Sequence, residues 1–340
     1  MRRRIAARTA TKCSSSARWP LAPALVERLI AAGLLVAGLV TVAYAGLAMY
    51  VATGQVYAPP LAITETPAKY GLAFAPVTFP ARDDGVPLRG WFIPGVRPNG
   101  SLTARRVIIM VHGKWQNRTD PSVGLLDLSH QLVLRGFAVL AFDMRGMGQS
   151  PPAPLSRGYF EQRDVLGAVD FLRAGRLPYP HLGRPRGIAG WGVSLGAAAL
   201  LLASAREPAI SVVVADSSTA DILPIIERDL SHGSRIRAFL VPGVVGAARA
   251  LYGIDYAAVR PVDVVARIAP RPLLLIQGAA DTYFPPASLT QLAAAARSAP
   301  HAQVQTWLVP GAEHGQAFHI AGVAYVEKVS AFLSAALGSA

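Results

Sequence analysis

The chain has 340 residues, of which 52% are hydrophobic and 16% are charged, and its formal net charge is +13. A chain of this length can bury a large core, and its high apolar content with few charges excludes bulk disorder. Its single cysteine, Cys13, excludes an intramolecular disulfide bond and a zinc site built from several thiolates.

The positive charge is concentrated at the N-terminus. Residues 1–28 form a basic leader with one acidic side chain, and its charged residues are Arg2, Arg3, Arg4, Arg8, Lys12, Arg18, Glu27 and Arg28. No basic run interleaved with aromatic side chains follows this leader in the sequence, so we expect no nucleic-acid partner.

The segment from Leu29 to Ala52 is uncharged and apolar, which predicts a transmembrane helix. At 1.5 Å per residue it spans roughly 36 Å, which exceeds the bilayer core of about 30 Å. Positive charge favours the cytoplasmic side of a membrane, so the basic leader predicts a cytoplasmic N-terminus. We therefore expect a single-pass signal anchor over residues 29–52 in the inner or cell membrane, followed by an extracytoplasmic domain.

Two alternatives to an uncleaved anchor stay open. The small residues of Ala43-Tyr44-Ala45 allow cleavage after Ala45, as in a secretory signal peptide. The same apolar run is also compatible with a buried helix of a soluble protein. Residues 53–73 contain Pro59, Pro60, Pro67 and Gly71, and we interpret them as a linker that leaves the membrane.

From residue 74 onward, short apolar runs alternate with segments of helical pattern. Strands are predicted at 75–80, 88–93, 107–111, 137–142, 187–191, 211–215, 273–276 and 304–308. Helices are predicted near 122–135, 159–174, 195–206, 288–298 and 322–337. Near-continuous apolar runs are typical of strands buried on both faces of a parallel sheet. The alternation therefore predicts an α/β domain over residues 74–340, with a doubly wound and mostly parallel sheet.

Residues from about 219 to 268 interrupt this alternation with two predicted helices, near 220–230 and 237–252. In open α/β sheets, ligands bind outside the carboxyl ends of the strands. We therefore expect this insert to form a small helical cap over the binding site.

The motif Gly192-Val193-Ser194-Leu195-Gly196 lies between a predicted strand and an alanine-rich helix. A sharp turn between a strand and a helix needs glycines, because side chains would clash with the bent backbone. Such a turn exposes the serine hydroxyl beside a helix N-terminus, whose free N–H groups stabilise negative charge. Ser194 is therefore the candidate nucleophile.

A serine nucleophile needs a base to accept its proton and a carboxylate to orient that base. His314 and Asp281 each lie in a loop after a predicted strand, and the chain order serine, aspartate, histidine places all three at one edge of the sheet. Asp216, directly after another strand, is the alternative acid. His112 lies in a tight His-Gly pair, where we expect it to hold a turn.

The chain from about residue 74 to 338 resembles the α/β-hydrolase fold family of serine hydrolases. Besides the motif around Ser194, the resemblance rests on the pair His112-Gly113 and on residues 143–150, which match the pattern D-x-R-G-x-G-x-S. The resemblance implies that Ser194 is the nucleophile, Asp281 the acid and His314 the base.

The same resemblance implies an oxyanion hole formed by the backbone N–H groups of Leu195 and Lys114. The residues that follow His112-Gly113 depart from the family's glycine-rich pattern, because they are Lys114-Trp115-Gln116-Asn117. We expect a bulkier rim of the pocket there. The resemblance implies no metal and no organic cofactor.

Together, these features predict a membrane-anchored serine hydrolase of bacterial type that acts on a small-molecule acyl substrate. The resemblance implies that the cleaved bond is a carboxylic ester or thioester, because these substrates are frequent in the family. A serine aminopeptidase-like peptidase and an acyltransferase of the same fold are the nearest alternatives. The insert holds both acidic and basic side chains, which does not favour a pocket for a substrate ammonium. A non-catalytic, membrane-tethered binding module is a further alternative, and the oligomeric state stays open.

Overall fold

The computed structural model describes residues 23–57, 59, 61–231 and 235–338. Most of the predicted basic leader, including Cys13, lies outside these ranges. The chain divides into two compact units, one that ends at Gly46 and one that begins at Leu47.

The strands of the described chain belong to a large sheet and a short two-stranded ladder. They are β1 (Ala75–Pro80), β2 (Pro87–Ile93), β3 (Gly95–Val96), β4 (Leu102–Thr103), β5 (Arg106–Val111), β6 (Ala138–Phe142), β7 (Gly187–Val193), β8 (Ile210–Asp216), β9 (Leu273–Gly278) and β10 (Val304–Val309). The large sheet has the order β1-β2-β6-β5-β7-β8-β9-β10. Its β1–β2 and β2–β6 pairs are antiparallel, and the pairs from β6 to β10 are parallel. This confirms the predicted, mostly parallel sheet.

The α-helices are α1 (Pro23–Val56), α2 (Leu125–Val133), α3 (Glu161–Ala174), α4 (Leu195–Ser204), α5 (Leu223–Ser231), α6 (Arg235–Tyr252), α7 (Pro261–Val264), α8 (Ala287–Arg297), α9 (Ala317–Ala321) and α10 (Val323–Leu337). The apolar side chains of α2 and α10 share one core cluster, and those of α3, α4 and α8 share another. Successive residues of β5 alternate between these clusters, so Ile108 belongs to one and Ile109 to the other. The sheet is therefore covered on both faces, as the continuous apolar runs predict.

Helices α5, α6 and α7 lie in the segment between β8 and β9. Apolar side chains of α5 and α6, including Ile225, Ile226 and Ala248, share a cluster with Leu202 of α4. Ile222, which directly precedes α5 and belongs to the same cluster, also lines the cavity that contains the candidate nucleophile Ser194.

Helix α1 is longer than the predicted span, since it begins before Leu29 and continues to Val56. By length and composition it could cross a membrane, and it is the one such helix in the described ranges. The end of α1 therefore includes residues 53–56, which lie in the segment that we interpret as a linker. Within that segment, Pro67–Tyr70 also form a short 3₁₀ turn.

The last turns of α1, from Leu47 onward, are built into the second unit. Ala48, Ala52 and Val56 are spaced by four residues, and their exposed fractions are 2%, 1% and 0%. Residues four apart share one face of a helix. Ala48 and Ala52 form a small cluster with Val244 and Ala247 of α6. The end of α1 therefore forms part of the core of the insert.

This packing predicts that a charge on the buried face of α1 destabilises the second unit. We expect Ala52→Asp to lower the free energy of unfolding by about 3 kcal/mol or more, because an unpaired carboxylate would be buried. Thermal unfolding of the detergent-solubilised full chain measures the effect. Gly54→Asp is the matched control, because residue 54 is exposed and has no neighbouring atom within 4 Å of an added Cβ. Equal melting temperatures for the two variants would contradict the packing.

Candidate active site

The turn between β7 and α4 is as sharp as the glycine motif predicts. Ser194 has φ 55° and ψ −120°, in the left-handed region that side chains rarely adopt. A Cβ on Gly192 would lie 2.6 Å from the carbonyl oxygen of Gly196, and a Cβ on Gly196 would lie 2.3 Å from that of Val111. Both positions therefore require glycine. The backbone N–H of Ser194 donates to the carbonyl of Asp216, which ties the turn to β8.

The structure brings the three sequence-predicted residues together. His314 Nε2 lies 2.8 Å from Ser194 Oγ, and His314 Nδ1 lies 2.8 Å from Asp281 Oδ2. An ionised carboxylate only accepts hydrogen bonds, so Nδ1 carries the proton and donates to Asp281. Nε2 is then free to accept the hydroxyl hydrogen of Ser194.

Asp281 is held in a fixed orientation by its own loop. Its Oδ1 accepts hydrogen bonds from the backbone N–H groups of Tyr283 and Phe284 at 2.9 and 2.8 Å. Its Oδ2 accepts from Gln277 Nε2 at 2.6 Å, and the side chain is buried. The rings of Tyr283 and Phe284 lie edge-on to the imidazole of His314, at centroid distances of 5.0 and 4.8 Å. The carboxylate and the imidazole therefore have little freedom to rotate.

Asp216, the alternative acid, has different partners. Its carboxylate accepts hydrogen bonds from the hydroxyl of Tyr325 at 2.7 Å and from that of Ser217 at 2.9 Å. Burial raises the pKa of Asp216. Ser217 Oγ also accepts from the N–H of Gly315, so Asp216 supports the loop beside His314 through Ser217. Asp281 is thus the carboxylate within hydrogen-bonding distance of the imidazole.

His112 holds the turn that contains Lys114, as expected. Its Nε2 accepts from the N–H of Met144 at 3.0 Å, so Nδ1 carries the proton and donates to the carbonyl of Gly113 at 2.7 Å. Complete burial lowers the pKa of His112, which favours this neutral form. A peptide bond is planar, so fixing the carbonyl of Gly113 also fixes the direction of the Lys114 N–H.

The loop that matches D-x-R-G-x-G-x-S is structural in its contacts. Asp143 accepts from the backbone N–H groups of Arg118 and Gln149, both at 2.7 Å, and forms an ion pair with the Arg118 side chain. Arg145 forms ion pairs with Asp84 and the buried Asp164. These ion pairs connect the loop to the β1–β2 turn, to α3 and to the segment around Arg118, which follows the cavity-lining residues 113–116.

A cavity of about 390 Å³ opens beside Ser194 and His314. Leu195 and Lys114, the predicted oxyanion donors, both line it. Sequence reasoning missed two other lining residues, Arg157 and Tyr283, because they come from loops without a recognisable motif. Among the described residues, no group of three or more His, Cys, Asp or Glu side chains is placed to hold a metal ion.

Comparison with known proteins places the chain among hydrolases. A model of the prolyl oligopeptidase family matches residues 126–340. The uncharacterized protein YfhR of Escherichia coli K12 is 29% identical over 268 residues, which cover 77% of this chain and 81% of that protein. YfhR of Salmonella typhi is 28% identical over 281 residues, which cover 80% of this chain and 81% of that protein.

Solved structures share the fold at low sequence identity. The esterase Pf2001 of Pyrococcus furiosus has a TM-score of 0.67 at 22% identity and covers 83% of this chain and 100% of that chain. A puromycin-hydrolyzing peptidase of Mycobacterium tuberculosis has a TM-score of 0.60 at 20% identity, and the match covers 81% of this chain and 42% of that chain. The sheet order and these likenesses confirm the α/β-hydrolase fold. Since the family match spans more than half of the sequence, the chain belongs to the prolyl oligopeptidase family of α/β-fold hydrolases.

Proposed function

We propose that this protein is a membrane-anchored serine hydrolase that cleaves a carboxylic ester or thioester through an acyl-enzyme intermediate. In this proposal Ser194 is the nucleophile, His314 the general base and Asp281 the acid that orients it. The supporting observation is the pair of 2.8 Å hydrogen bonds that connects the three side chains at the edge of an open cavity.

The proposed reaction follows from the protonation states of the site. As Ser194 Oγ attacks the acyl carbon, its proton moves to His314 Nε2, and Asp281 stabilises the imidazolium that forms. The tetrahedral intermediate collapses when the bond to the leaving group breaks, and His314 gives that group its proton. Water then attacks the acyl-serine while His314 Nε2 takes its proton. The bond to Ser194 Oγ breaks, His314 returns the proton to Oγ, and the acid is released.

Two backbone N–H groups are proposed to stabilise the oxyanion. Leu195 is the first residue of α4, where the N–H has no partner within the helix. The Lys114 N–H belongs to the peptide whose carbonyl is held by His112. Donors that are fixed in advance matter because the negative charge on oxygen develops only in the transition state.

The charges of the insert favour an ester substrate over a peptide substrate that has a free amino terminus. Binding a substrate ammonium would need an unpaired carboxylate at the cavity, but four of the five acidic side chains of the insert are paired with arginines. The fifth, Glu227, is exposed and does not line the cavity. The pairs are Arg260 with Asp221 and Asp263, Arg228 with Asp229, and Arg249 with Asp255. These contacts argue against an aminopeptidase-like pocket.

We propose that α1 anchors the protein in the membrane with its N-terminus in the cytoplasm. The support is a helix of 34 residues whose apolar side chains, including Leu34, Leu39 and Val42, are largely exposed. An exposed apolar surface of this extent is unfavourable in water and favourable in lipid.

Ser194→Ala should abolish covalent labelling by a fluorophosphonate probe, because the probe reacts with an activated serine. The wild-type chain should be labelled stoichiometrically, which gel fluorescence measures. Retained labelling of Ser194→Ala would show that another residue reacts.

The two buried carboxylates provide a matched pair of controls for that assignment. Asp281→Asn should slow labelling strongly, by up to about 10⁴-fold, because the imidazole loses the partner that sets its tautomer. Asp216→Asn removes a carboxylate that contacts Tyr325 and Ser217, so its labelling rate should fall much less. The reverse order of the two rates would make Asp216 the acid.

Ester substrates should be cleaved and unactivated amides should not. The test compares the 4-nitrophenyl ester of butyrate with the 4-nitroanilides of butyrate and of alanine, whose amino group is free. We expect hydrolysis of the ester alone above the rate of the Ser194→Ala enzyme. Faster cleavage of the alanine anilide than of the butyrate anilide would instead indicate an ammonium pocket and a peptidase.

The anchor predicts that the full chain stays in the membrane fraction after extraction with alkaline carbonate. Protease added to spheroplasts should degrade the catalytic domain, because we place it on the outer side. A soluble protein whose N-terminus is Gly46 would contradict the anchor and support cleavage after Ala45.

A further inference from the structure

The wall of the cavity beside Ser194 carries two basic side chains, Lys114 and Arg157. Neither has a role in the proposed chemistry of Ser194 and His314. The side chain of Arg157 is only 6% exposed, so the cost of removing its charge from water has to be offset by local partners. The partners of Arg157 therefore show whether a ligand could supply negative charge that the protein lacks at this position.

The backbone of Arg157 is held in an unfavourable conformation by a buried carboxylate. Arg157 has φ 60°, in the left-handed region. Glu161 accepts hydrogen bonds from the N–H groups of Ser156 and Gly158, at 2.7 and 2.6 Å, on either side of Arg157. It also accepts the Ser156 hydroxyl at 2.7 Å. Backbone strain that the surroundings enforce is concentrated at functional sites.

The partners of Arg157 do not neutralise this part of the pocket. Its guanidinium donates to Asp229 at 3.4 Å and to the neutral amide of Gln55 at 3.1 Å. Asp229 also pairs with Arg228 at 3.3 Å and accepts the hydroxyl of Tyr283 at 2.8 Å. One carboxylate is thus shared between two arginines, and Lys114 adds a third cation nearby.

The ammonium of Lys114 lies 3.5 Å from the centre of the Trp115 ring. Burial, together with repulsion from Arg157, lowers the pKa of Lys114 to about 7. Asp120, whose carboxylate lines the cavity, already accepts from the Gly113 N–H and the Ser122 hydroxyl. A desolvated cation beside a second cation is stabilised strongly when an anion binds to it.

We propose that Lys114 and Arg157 bind an anionic oxyacid group, a carboxylate or a phosphate, on the substrate whose ester bond Ser194 cleaves. This inference rests on the proposed function and narrows its substrate class to esters with a negative charge. Apolar side chains such as Val123, Ile222 and Phe284 line the same cavity, so they can contact the apolar part of such a substrate.

The test compares esters that differ in one charge. Mono-4-nitrophenyl esters of succinate, glutarate and adipate are paired with the same compounds whose free carboxyl is methylated. The full-length enzyme in detergent is assayed, and hydrolysis by Ser194→Ala is subtracted from every rate. At one chain length or more, kcat/KM for the anionic ester should exceed that of the neutral ester by about tenfold, the size expected for one charge-assisted hydrogen bond.

Side-chain variants should lower this ratio. Lys114→Met removes the ammonium but keeps the backbone N–H, and Arg157→Gln removes the guanidinium. Both should bring the ratio toward unity, mainly by raising KM for the anionic ester. Arg297→Gln, on the exposed side of α8, makes the same change in net charge outside the cavity and should keep the wild-type ratio. An equal fall of the ratio in Arg297→Gln would overturn the proposed contact.

The pH dependence of the same ratio gives a test in the wild-type enzyme, in which no side chain has to be removed. The charged and titratable groups that line the cavity with Lys114 are Arg157, Asp120, Tyr283 and His314. Asp229, which pairs with Arg228, also acts on the charge of Lys114. Both esters use the same catalytic step, so any pH dependence of that step cancels in the ratio. Lys114 is charged below its pKa, so the ratio should fall as the pH rises from about 6 to about 8, and Lys114→Arg should remove this fall.

The outcomes separate the two levels of the proposal. A wild-type enzyme that cleaves neither member of any pair overturns the proposed function and this inference with it. A wild-type enzyme that cleaves both members, with no preference for the anionic ester at any chain length, overturns the inference alone.

Discussion

The close approach of α4 to the end of β5 is the constraint on which the site depends. At Gly196 the helix lies so near the strand that a Cβ would be 2.3 Å from the carbonyl oxygen of Val111 and 2.4 Å from that of His112. This contact fixes the first turn of α4, with Ser194 and Leu195, against the turn that leads to Lys114. The proposed nucleophile and both proposed oxyanion donors therefore share one rigid junction between two neighbouring parallel strands, β5 and β7.

The carboxyl edge of the sheet also carries two buried aspartates with different surroundings. Asp216 ends β8 and is hydrogen-bonded to Tyr325 and Ser217, and Ser217 also accepts from the Gly315 N–H in the loop of His314. Asp281 follows β9 and receives two backbone N–H groups, the Gln277 amide and the imidazole of His314. Asp281 is thus held by hydrogen bonds beside the imidazole, whereas burial raises the pKa of Asp216. The loop after β9 therefore provides the carboxylate that contacts His314. The residue after β8, Ser217, holds the loop of His314 through the N–H of Gly315.

Local patterns explain which parts of this architecture could be predicted from the sequence. Strands buried on both faces have continuous apolar sequences, and a sharp turn between a strand and a helix has closely spaced glycines. The sheet and the candidate nucleophile Ser194 could therefore be predicted from the sequence. The choice of Asp281 over Asp216 depended on chain order and on the family resemblance, because both residues follow strands at the same edge. Arg157 was missed because its partners Gln55 and Asp229 are distant in the sequence, and no periodicity records such contacts.

The end of α1 was missed for a different reason. Its buried alanines lie within a helix that is apolar on every side, so no periodic contrast distinguishes a face that packs against protein from one that faces lipid. Ala48, Ala52 and Val56 all follow Ala45, the alternative cleavage site. Either fate of the N-terminal segment therefore leaves the packed turns attached to the catalytic unit. Gln55 belongs to these turns and accepts a hydrogen bond from Arg157, so the segment that we interpret as a linker helps to hold a side chain of the cavity wall.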